Sequence, residues 1–192
     1  MEFIAAVIAI AVAYQAMKAY GLSKERTLLY LNLSFVLIGA GLLVDGLSNL
    51  VVLLARGERG SLLIFNLGYT INFLAQLVAY GLLVFAYLYQ TRSMGSVALA
   101  AVPIMFIERN AFTELILIFL LFYIATQTAM NYSVNKSVNA LFVFGAFTTL
   151  AVAHIFFLLF ILAPVFYPLA YLAQLFGFLL LLAMLLRVNQ PV

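Results

Sequence analysis

Hydrophobic residues in this chain occur in long runs, which short clusters of charged, glycine and proline residues separate. The runs cover about 3–20, 27–55, 61–90, 95–107, 111–131, 137–163 and 166–187. A membrane-spanning helix needs about 20 predominantly apolar residues, whereas a β-barrel would show alternating segments of about 10 residues. The pattern therefore predicts an all-α bundle of seven transmembrane helices.

The fourth run is the exception to this pattern. It has only about 13 apolar residues, and Pro103 lies inside it. A short span, a kinked span and a re-entrant segment all remain open. We predict a span, which brings the count to seven.

Composition narrows the class of protein. The chain has 192 residues, of which 68% are hydrophobic and 8% charged, whereas soluble domains have about 25% charged residues. The predicted architecture is thus a single integral membrane domain over residues 1–192, with the lipid bilayer as its surroundings. The chain has no cysteine and no basic patch, so we expect no disulfide, no thiolate chemistry and no nucleic-acid partner.

The positive charges predict how the bundle is oriented. With seven spans, one side of the membrane would hold Lys18, Lys24, Arg26, Arg92, Lys136 and Arg187, and the other would hold Arg56, Arg59 and Arg109. Cytoplasmic loops carry an excess of lysine and arginine. The N-terminus is therefore predicted to lie outside and the C-terminus in the cytoplasm.

Two parts of the chain resemble each other. Residues 69–86 read YTINFLAQLVAYGLLVFA, residues 167–184 read YPLAYLAQLFGFLLLLAM, and seven of the 18 positions match. Upstream, AMKAYGLSK at 16–24 resembles AMNYSVNK at 129–136. The pattern predicts two parallel three-helix repeats, about 1–91 and 110–189, joined by a short linker helix at about 94–108. A chance match of low-complexity membrane sequence is the alternative.

This three-plus-one-plus-three plan is similar to that of SWEET-type sugar transporters, which have parallel repeats. The similarity is one of architecture. The chain lacks the Pro-Gln motif of that superfamily, and a fold does not fix a function.

Asp45 is the only aspartate, and it lies near the middle of an apolar run. A charged side chain at bilayer depth costs from a few to more than about ten kcal/mol, so Asp45 should face the interior or water, or be protonated. Ser34, Gly41, Ser48 and Asn49 lie close to the same helical face. Two interpretations remain open: a proton, cation or substrate site, and a structural carboxylate that holds helices together.

The third and seventh runs each carry a polar and aromatic stripe on one helical face. The stripes consist of Asn66, Tyr69, Phe73, Gln76, Tyr80 and Tyr87, with Asn72 beside them, and of Tyr167, Tyr171, Gln174 and Phe178. Polar groups in lipid need partners, so both faces should pack against other helices. Interhelical hydrogen bonding and a site for a neutral polar solute both remain open.

His154 is the only histidine, and its helical neighbours are apolar. It is either a proton relay or a neutral histidine bonded to one interior partner. If the repeats pack around a twofold axis normal to the membrane, Asp45 and His154 could approach each other across it. A single histidine excludes bis-histidine haem, and without cysteine a conventional zinc site is not expected. We therefore expect no metal and no cofactor.

The remaining carboxylate in the later runs, Glu114, lies about one turn into the fifth run, where it would complement the helix dipole. Walker, HExxH and GxSxG motifs are absent from the sequence. No lysine follows Lys136, so the last helix cannot carry a retinal Schiff base.

These features favour a small transporter or channel for a small polar solute or ion, with proton coupling at Asp45 and His154. The predicted path consists of Asp45, His154, Gln76, Gln174, Tyr69, Tyr167, Asn49 and Asn72. One alternative is a non-transporting module, either a sensor or a subunit that works with copies of itself or with a membrane complex. A second is an intramembrane enzyme acting on lipid, with Asp45 and His154 as an acid–base pair.

Overall fold

The computed structural model describes residues 1–54, 61–90 and 111–190. Its regular elements are the helices α1 (Glu2–Ser23), α2 (Arg26–Leu54), α3 (Ser61–Gln90), α4 (Ala111–Asn135), α5 (Val138–Leu159) and α6 (Phe166–Val188). All six are long and apolar enough to cross a membrane. The prediction of an all-α, multi-pass membrane protein is confirmed to this extent. The run 95–107 lies outside the described residues, so the count of seven stays a prediction.

Two helix boundaries differ from those predicted. α4 continues to Asn135 instead of ending near residue 131, because its polar side chains bond within the helix, as the Ser133 hydroxyl does to the carbonyl of Met130. α5 ends at Leu159 instead of near 163. Pro164 disfavours helical geometry at Ala163, and the chain there forms a turn in which the Leu162 N–H donates to Leu159 over 2.9 Å.

Contacts between helices fix the direction of each one. α1 and α6 are parallel, because Tyr171 bonds Glu2 and Asn189 bonds Gln15. α2 runs antiparallel to both α1 and α3, as the bonds from Asn32 to Ala13 and from Ser34 to Ala79 show.

The second half of the chain has the same pattern. α5 runs antiparallel to α4, since His154 contacts Glu114 while Phe144 stacks on Tyr132. It is also antiparallel to α6, where Leu150 lies against Gly177. α1, α3, α4 and α6 therefore run one way, and α2 and α5 run the other way. We call the end of the bundle that contains Met1 the N-terminal end, and the end that contains Val188 the C-terminal end.

The helices pack as a ring in which α1, α2, α3, α4, α5 and α6 follow one another and α6 closes on α1. α1 fits this ring through a narrow buried face of Ala5, Ala6, Ala9, Val12, Ala13, Ala16 and Ala19. Small side chains let helices approach closely in a membrane. Gly39 of α2 uses this space, lying against Ala6 and Ala9.

α1 and α4 end in the same way. Lys24 and Lys136 both adopt left-handed backbone, with φ of 58° and 46°. The N–H of Lys24 donates to the carbonyl of Tyr20, and that of Lys136 donates to Tyr132, each over 2.8 Å. Such a left-handed residue commonly terminates a helix by satisfying a free carbonyl. The two caps fall on the matched segments 16–24 and 129–136.

Candidate functional site

A small polar cavity lies between the helices in the half of the bundle nearer the N-terminal end. Its lining consists of Leu42, Asp45, Tyr69, Asn72, Phe73, Gln76, Glu114, Leu117, His154, Phe157, Tyr171 and Gln174. Its open volume is about 20 Å³, and one water needs about 10–15 Å³. The cavity therefore has room for one water molecule or an ion of similar size.

A buried pair of titratable groups forms one wall. His154 Nδ1 lies 2.8 Å from Glu114 Oε2, and the two residues are 2% and 6% exposed. This distance is that of a strong hydrogen bond between the imidazole and the carboxyl group. On the other side of the imidazole, Nε2 lies 3.4 Å from the hydroxyl of fully buried Tyr80. The three residues connect α4, α5 and α3.

Tyr69 extends the same cluster to the start of α4. Its hydroxyl lies 2.5 Å from the hydroxyl of Thr113 and donates to Glu114 Oε1 over 3.4 Å. Thr113 is completely buried. Both carboxylate oxygens of Glu114 therefore have a partner on another helix.

A hydrogen-bonded chain forms the facing wall. Asn72 Nδ2 donates to Asp45 Oδ2 over 3.2 Å, and Gln76 Nε2 donates to Asn72 Oδ1 over 3.0 Å. Gly41, one turn before Asp45, lets α2 come this close, since a Cβ there would lie 2.9 Å from Asn72 Oδ1. This hydrogen-bonded chain ends at Gln76 Oε1, which is buried and has no hydrogen-bond partner among the residues that the structure describes.

The second half of the chain, α4–α6, contributes a second side-chain amide, that of Gln174 on α6. Gln174 is 1% exposed, and its Oε1 also has no hydrogen-bond partner. Gln76 and Gln174 occupy the same place in the two LAQL segments. The cavity thus has two buried carbonyl oxygens, one from each half of the chain, that are free to accept.

Glu2 links the cavity to the N-terminal end of the bundle. Tyr171, which lines the cavity, donates its hydroxyl to Glu2 Oε1 over 2.8 Å, and Asn49 Nδ2 donates to the same oxygen over 2.7 Å. Tyr167 lies beside Tyr171, with their hydroxyl oxygens 3.2 Å apart. Glu2 is partly exposed, so this cluster joins the interior to the surface.

Toward the C-terminal end the interior is apolar. Phe35 of α2 and Phe178 of α6 meet edge to face across the ring with their centroids 5.3 Å apart, and both are fully buried. Ile38, Leu83, Leu150 and Leu181 are buried in the same core. Described polar groups at this level bond to backbone, as Ser34 does to Ala79 over 2.8 Å.

The structure brings six of the eight predicted path residues to this cavity. They are Asp45, Tyr69, Asn72, Gln76, His154 and Gln174. Asn49 and Tyr167 lie outside its lining, in the Glu2 cluster. Asp45 and His154 both face the cavity, but the partner of His154 is Glu114. Their roles in transport stay predictions.

Glu114 is the main site residue that the local sequence does not predict. Its place in the first turn of α4 suggests a helix-dipole role, but the side chain is buried against His154. The repeat contains a signal for it. Glu2 and Glu114 lie 14 and 15 residues before the matched Ala-Met pairs at 16 and 129, and each carboxylate accepts from a tyrosine of the other triplet, Tyr171 or Tyr69.

The site offers carboxylates, an imidazole, amides and phenols, which can hold and pass protons and bind hydrogen-bond donors. Among the described residues, no three histidine, cysteine, aspartate or glutamate side chains are grouped so that they could hold a metal ion. The chain matches no protein-family model, no curated protein and no solved structure.

Proposed function

We propose that this protein is a small membrane transporter or channel in which a small ion or polar solute passes through the central cavity. Asp45 and the Glu114–His154 pair couple this passage to protons. The observation that carries the proposal is that three buried titratable residues from three helices line one water-sized polar cavity. Ionisable residues inside a membrane mark substrate and proton pathways by default.

The cavity size limits what can pass in this conformation. About 20 Å³ accommodates one water molecule, which favours a proton or a small ion over a sugar-sized solute. The tyrosine–glutamate contact at the N-terminal end offers a polar route, while the Phe35–Phe178 contact blocks the C-terminal end. A site that is polar on one side and closed by apolar side chains on the other suits alternating access.

We propose that α1–α3 and α4–α6 are two parallel repeats, and this arrangement supports the transport proposal. Helix directions in α1–α3 and α4–α6 correspond one to one, and α1 contacts α6 as α3 contacts α4. The left-handed caps at Lys24 and Lys136 and the two glutamate–tyrosine contacts occupy matched positions. Transporters with repeats of this kind bind their substrates near the bilayer midplane, at the repeat interface.

The positive charges support the proposed orientation. All lysines and arginines among the described residues lie toward the C-terminal end of the bundle. They are Lys18, Lys24, Arg26, Lys136 and Arg187. We propose that this end faces the cytoplasm. The cavity would then open toward the outside.

Reconstituted liposomes test the proposal. We expect purified protein to pass protons or a small cation down an imposed gradient, as detected by trapped pH-sensitive and ion-sensitive dyes. Asp45→Asn and Glu114→Gln should each lower the initial rate by at least about 100-fold, the lower end of the effect of a positioned proton-transfer group.

Glu25→Gln is the matched control, because it makes the same chemical change in an exposed turn. It should leave the rate unchanged. Vesicles impermeable to protons, cations and a panel of small solutes, with Asp45→Asn identical to the unmodified protein, would contradict transport and favour the non-transporting module.

A further inference from the structure

The unpaired side-chain oxygens of Gln76 and Gln174 indicate which kind of ligand this site binds. We infer that Gln76 and Gln174 form a binding site for a small ammonium-type cation, which occupies the cavity in exchange for a proton on Asp45. The inference rests on the proposed function and names its substrate class. Both glutamines are more than nine-tenths buried, at 6% and 1% exposed, and both line the cavity.

The free groups define the chemistry of the ligand. An amide oxygen only accepts hydrogen bonds, and burying one without a partner is unfavourable. Gln76 Oε1 and Gln174 Oε1 are both in this condition, so they suit a ligand that is positively charged and donates hydrogen bonds. The cavity admits an object the size of one water, which an ammonium ion matches.

Positive charge on the ligand is favoured by the rest of the lining. Asp45 and Glu114 provide carboxylates, and the rings of Phe73, Phe157 and Tyr171 border the same space. Aromatic faces attract a small cation when water is excluded. A primary alkylammonium keeps the donor group but needs more room, whereas a potassium ion has a similar size and charge but no hydrogen to donate.

The ionised state of Asp45 orients the Gln76 amide. An ionised carboxylate cannot donate, so Asn72 must turn its NH₂ toward Asp45 and its oxygen toward Gln76. Gln76 must then donate to Asn72, which leaves Gln76 Oε1 as the group without a partner. The negative charge of Asp45 is thereby converted, through two amides, into an acceptor at the binding site.

Protonation of Asp45 removes this constraint. The acid O–H can donate to Asn72 Oδ1, Asn72 can donate to Gln76 Oε1, and Gln76 can then turn its NH₂ toward the cavity. In that arrangement the site presents donors and repels a cation. Cation binding therefore requires loss of the Asp45 proton, which leaves to water, and the affinity for the cation falls as the pH is lowered.

Other titratable groups face Asp45 from each neighbouring element. They are Glu2 of α1, Tyr69 of α3, Glu114 of α4, His154 of α5 and Tyr171 of α6. Only Asp45 is connected to Gln76 through Asn72 in the hydrogen bonds described above. The part of the pH dependence that is lost when this connection is broken at Asn72 measures the effect of the amide chain, and the part that stays belongs to direct attraction by the cavity carboxylates.

Equilibrium binding to the purified full-length protein in detergent tests the inference. We expect ammonium chloride to raise the thermal unfolding temperature of the unmodified protein at pH 7, and potassium chloride at equal concentration to leave it unchanged. The apparent ammonium affinity should weaken as the pH is lowered from 7 to 5. Gln76→Met and Gln174→Met should each weaken it by at least about tenfold, since a hydrogen bond to a charged group is lost.

Gln127→Met is the matched control, because Gln127 lies on α4 outside the cavity lining. It should bind ammonium normally. Asn72→Leu keeps Asp45 in the cavity lining and breaks the chain, so its ammonium binding should be weaker and should depend less steeply on pH than that of the unmodified protein. If Gln76→Met does not fold, Gln174→Met and the pH dependence of the unmodified protein decide the question.

Equal stabilisation by ammonium and potassium, or unchanged affinity in a folded glutamine variant, would overturn the inference. These outcomes are separate from the fate of the proposed function. Ion flux that depends on Asp45 but not on the glutamines leaves transport standing without the ammonium site. Ammonium binding without flux leaves the site standing in a protein that does not transport.

Discussion

Glu114 and His154 form a hydrogen-bonded pair with a 2.8 Å contact in the buried interior of the described structure. A buried pair costs several kcal/mol in desolvation, and removing one partner leaves the other uncompensated, at about 3–5 kcal/mol. The pair also has neighbours that complete it, since Tyr69 reaches the carboxylate and Tyr80 the imidazole. Its stability effect should therefore depend strongly on whether both members are present.

A double-mutant cycle measures this dependence. We expect Glu114→Gln and His154→Gln to destabilise the protein individually, and the double variant to lose less than the sum because neither group is then left charged and alone. The coupling energy should be about 1–3 kcal/mol, measured by reversible unfolding in mixed detergent. The corresponding cycle for Asp45 and His154 serves as the comparison and should give a smaller coupling. Additive losses for Glu114 and His154 would contradict the pairing.

For individual residues, the sequence predicts which side chains face the interior better than it predicts which side chains they contact. Helical spacing and the cost of burying charge place Asp45, Gln76 and Gln174 in the interior, and that is where the structure has them. The partner of His154 depends on the relative axial position of α4 and α5. Residue spacing within a single helix gives no information about that position. For this reason Glu114 is predicted as an end-of-helix charge and is found as a site residue.

Among the elements, α2 and α3 depend most clearly on one small residue. A Cβ at Gly41 would lie 2.8 Å from the Ala75 Cβ and 3.2 Å from the Asn72 Cα, closer than packed atoms approach. The backbone of α3 would have to move, and with it the Asn72 side chain that bonds Asp45. The close approach of these helices thus holds the cavity wall in place.

Alanine at Gly41 should therefore separate α2 from α3. We expect Gly41→Ala to destabilise the protein by about 1–3 kcal/mol, the usual cost of overpacking, and to lower the transport rate as well. Gly81→Ala on α3 is the control, since a Cβ there meets nothing within 4 Å. The control should be neutral or stabilising by up to about 1 kcal/mol, as expected for replacing glycine within a helix. Thermal unfolding of both variants checks the difference, and equal effects would contradict it.

The presence of the six helices could be predicted from the sequence because an apolar run of about 20 residues indicates a transmembrane helix. Helix ends were less predictable for two separate reasons. Polar residues at 131–135 keep their helical geometry beyond the apolar run by bonding within α4. At the end of α5, Pro164 acts on the residues before it, so an apolar run that continues to 163 is not helical throughout.

For the whole molecule, the directions of the six described helices bear on how many times the chain crosses the membrane. α1 and α6 are parallel, so we predict that the start of α1 and the end of α6 lie on opposite sides of the membrane, which would require an odd number of crossings. Gln90 ends α3 at the C-terminal end of the bundle, and Ala111 begins α4 at the N-terminal end. We predict that the segment between them crosses the membrane, which would give the seven spans expected from the sequence.

Single-cysteine labelling tests this topology directly, because the chain has no cysteine to remove. We expect Ser23→Cys, Asn135→Cys and Gln190→Cys, all at exposed positions of the C-terminal end, to react from the same side of the membrane. Val165→Cys, exposed in the turn before α6, should react from the other side. With the proposed orientation, a membrane-impermeant maleimide labels only Val165→Cys in intact cells and labels the other three after permeabilisation.

The two parts of this result have different consequences. If all four positions keep these relative sides but the accessible side is reversed, the bundle is inverted and the charge-based orientation is wrong. If Asn135→Cys and Ser23→Cys react from opposite sides, the segment between α3 and α4 does not cross, and the parallel repeats are wrong. In that case Gln76 and Gln174 would no longer be equivalent residues of two repeats, and the proposed cation site would not be formed by matching positions of the two halves of the chain.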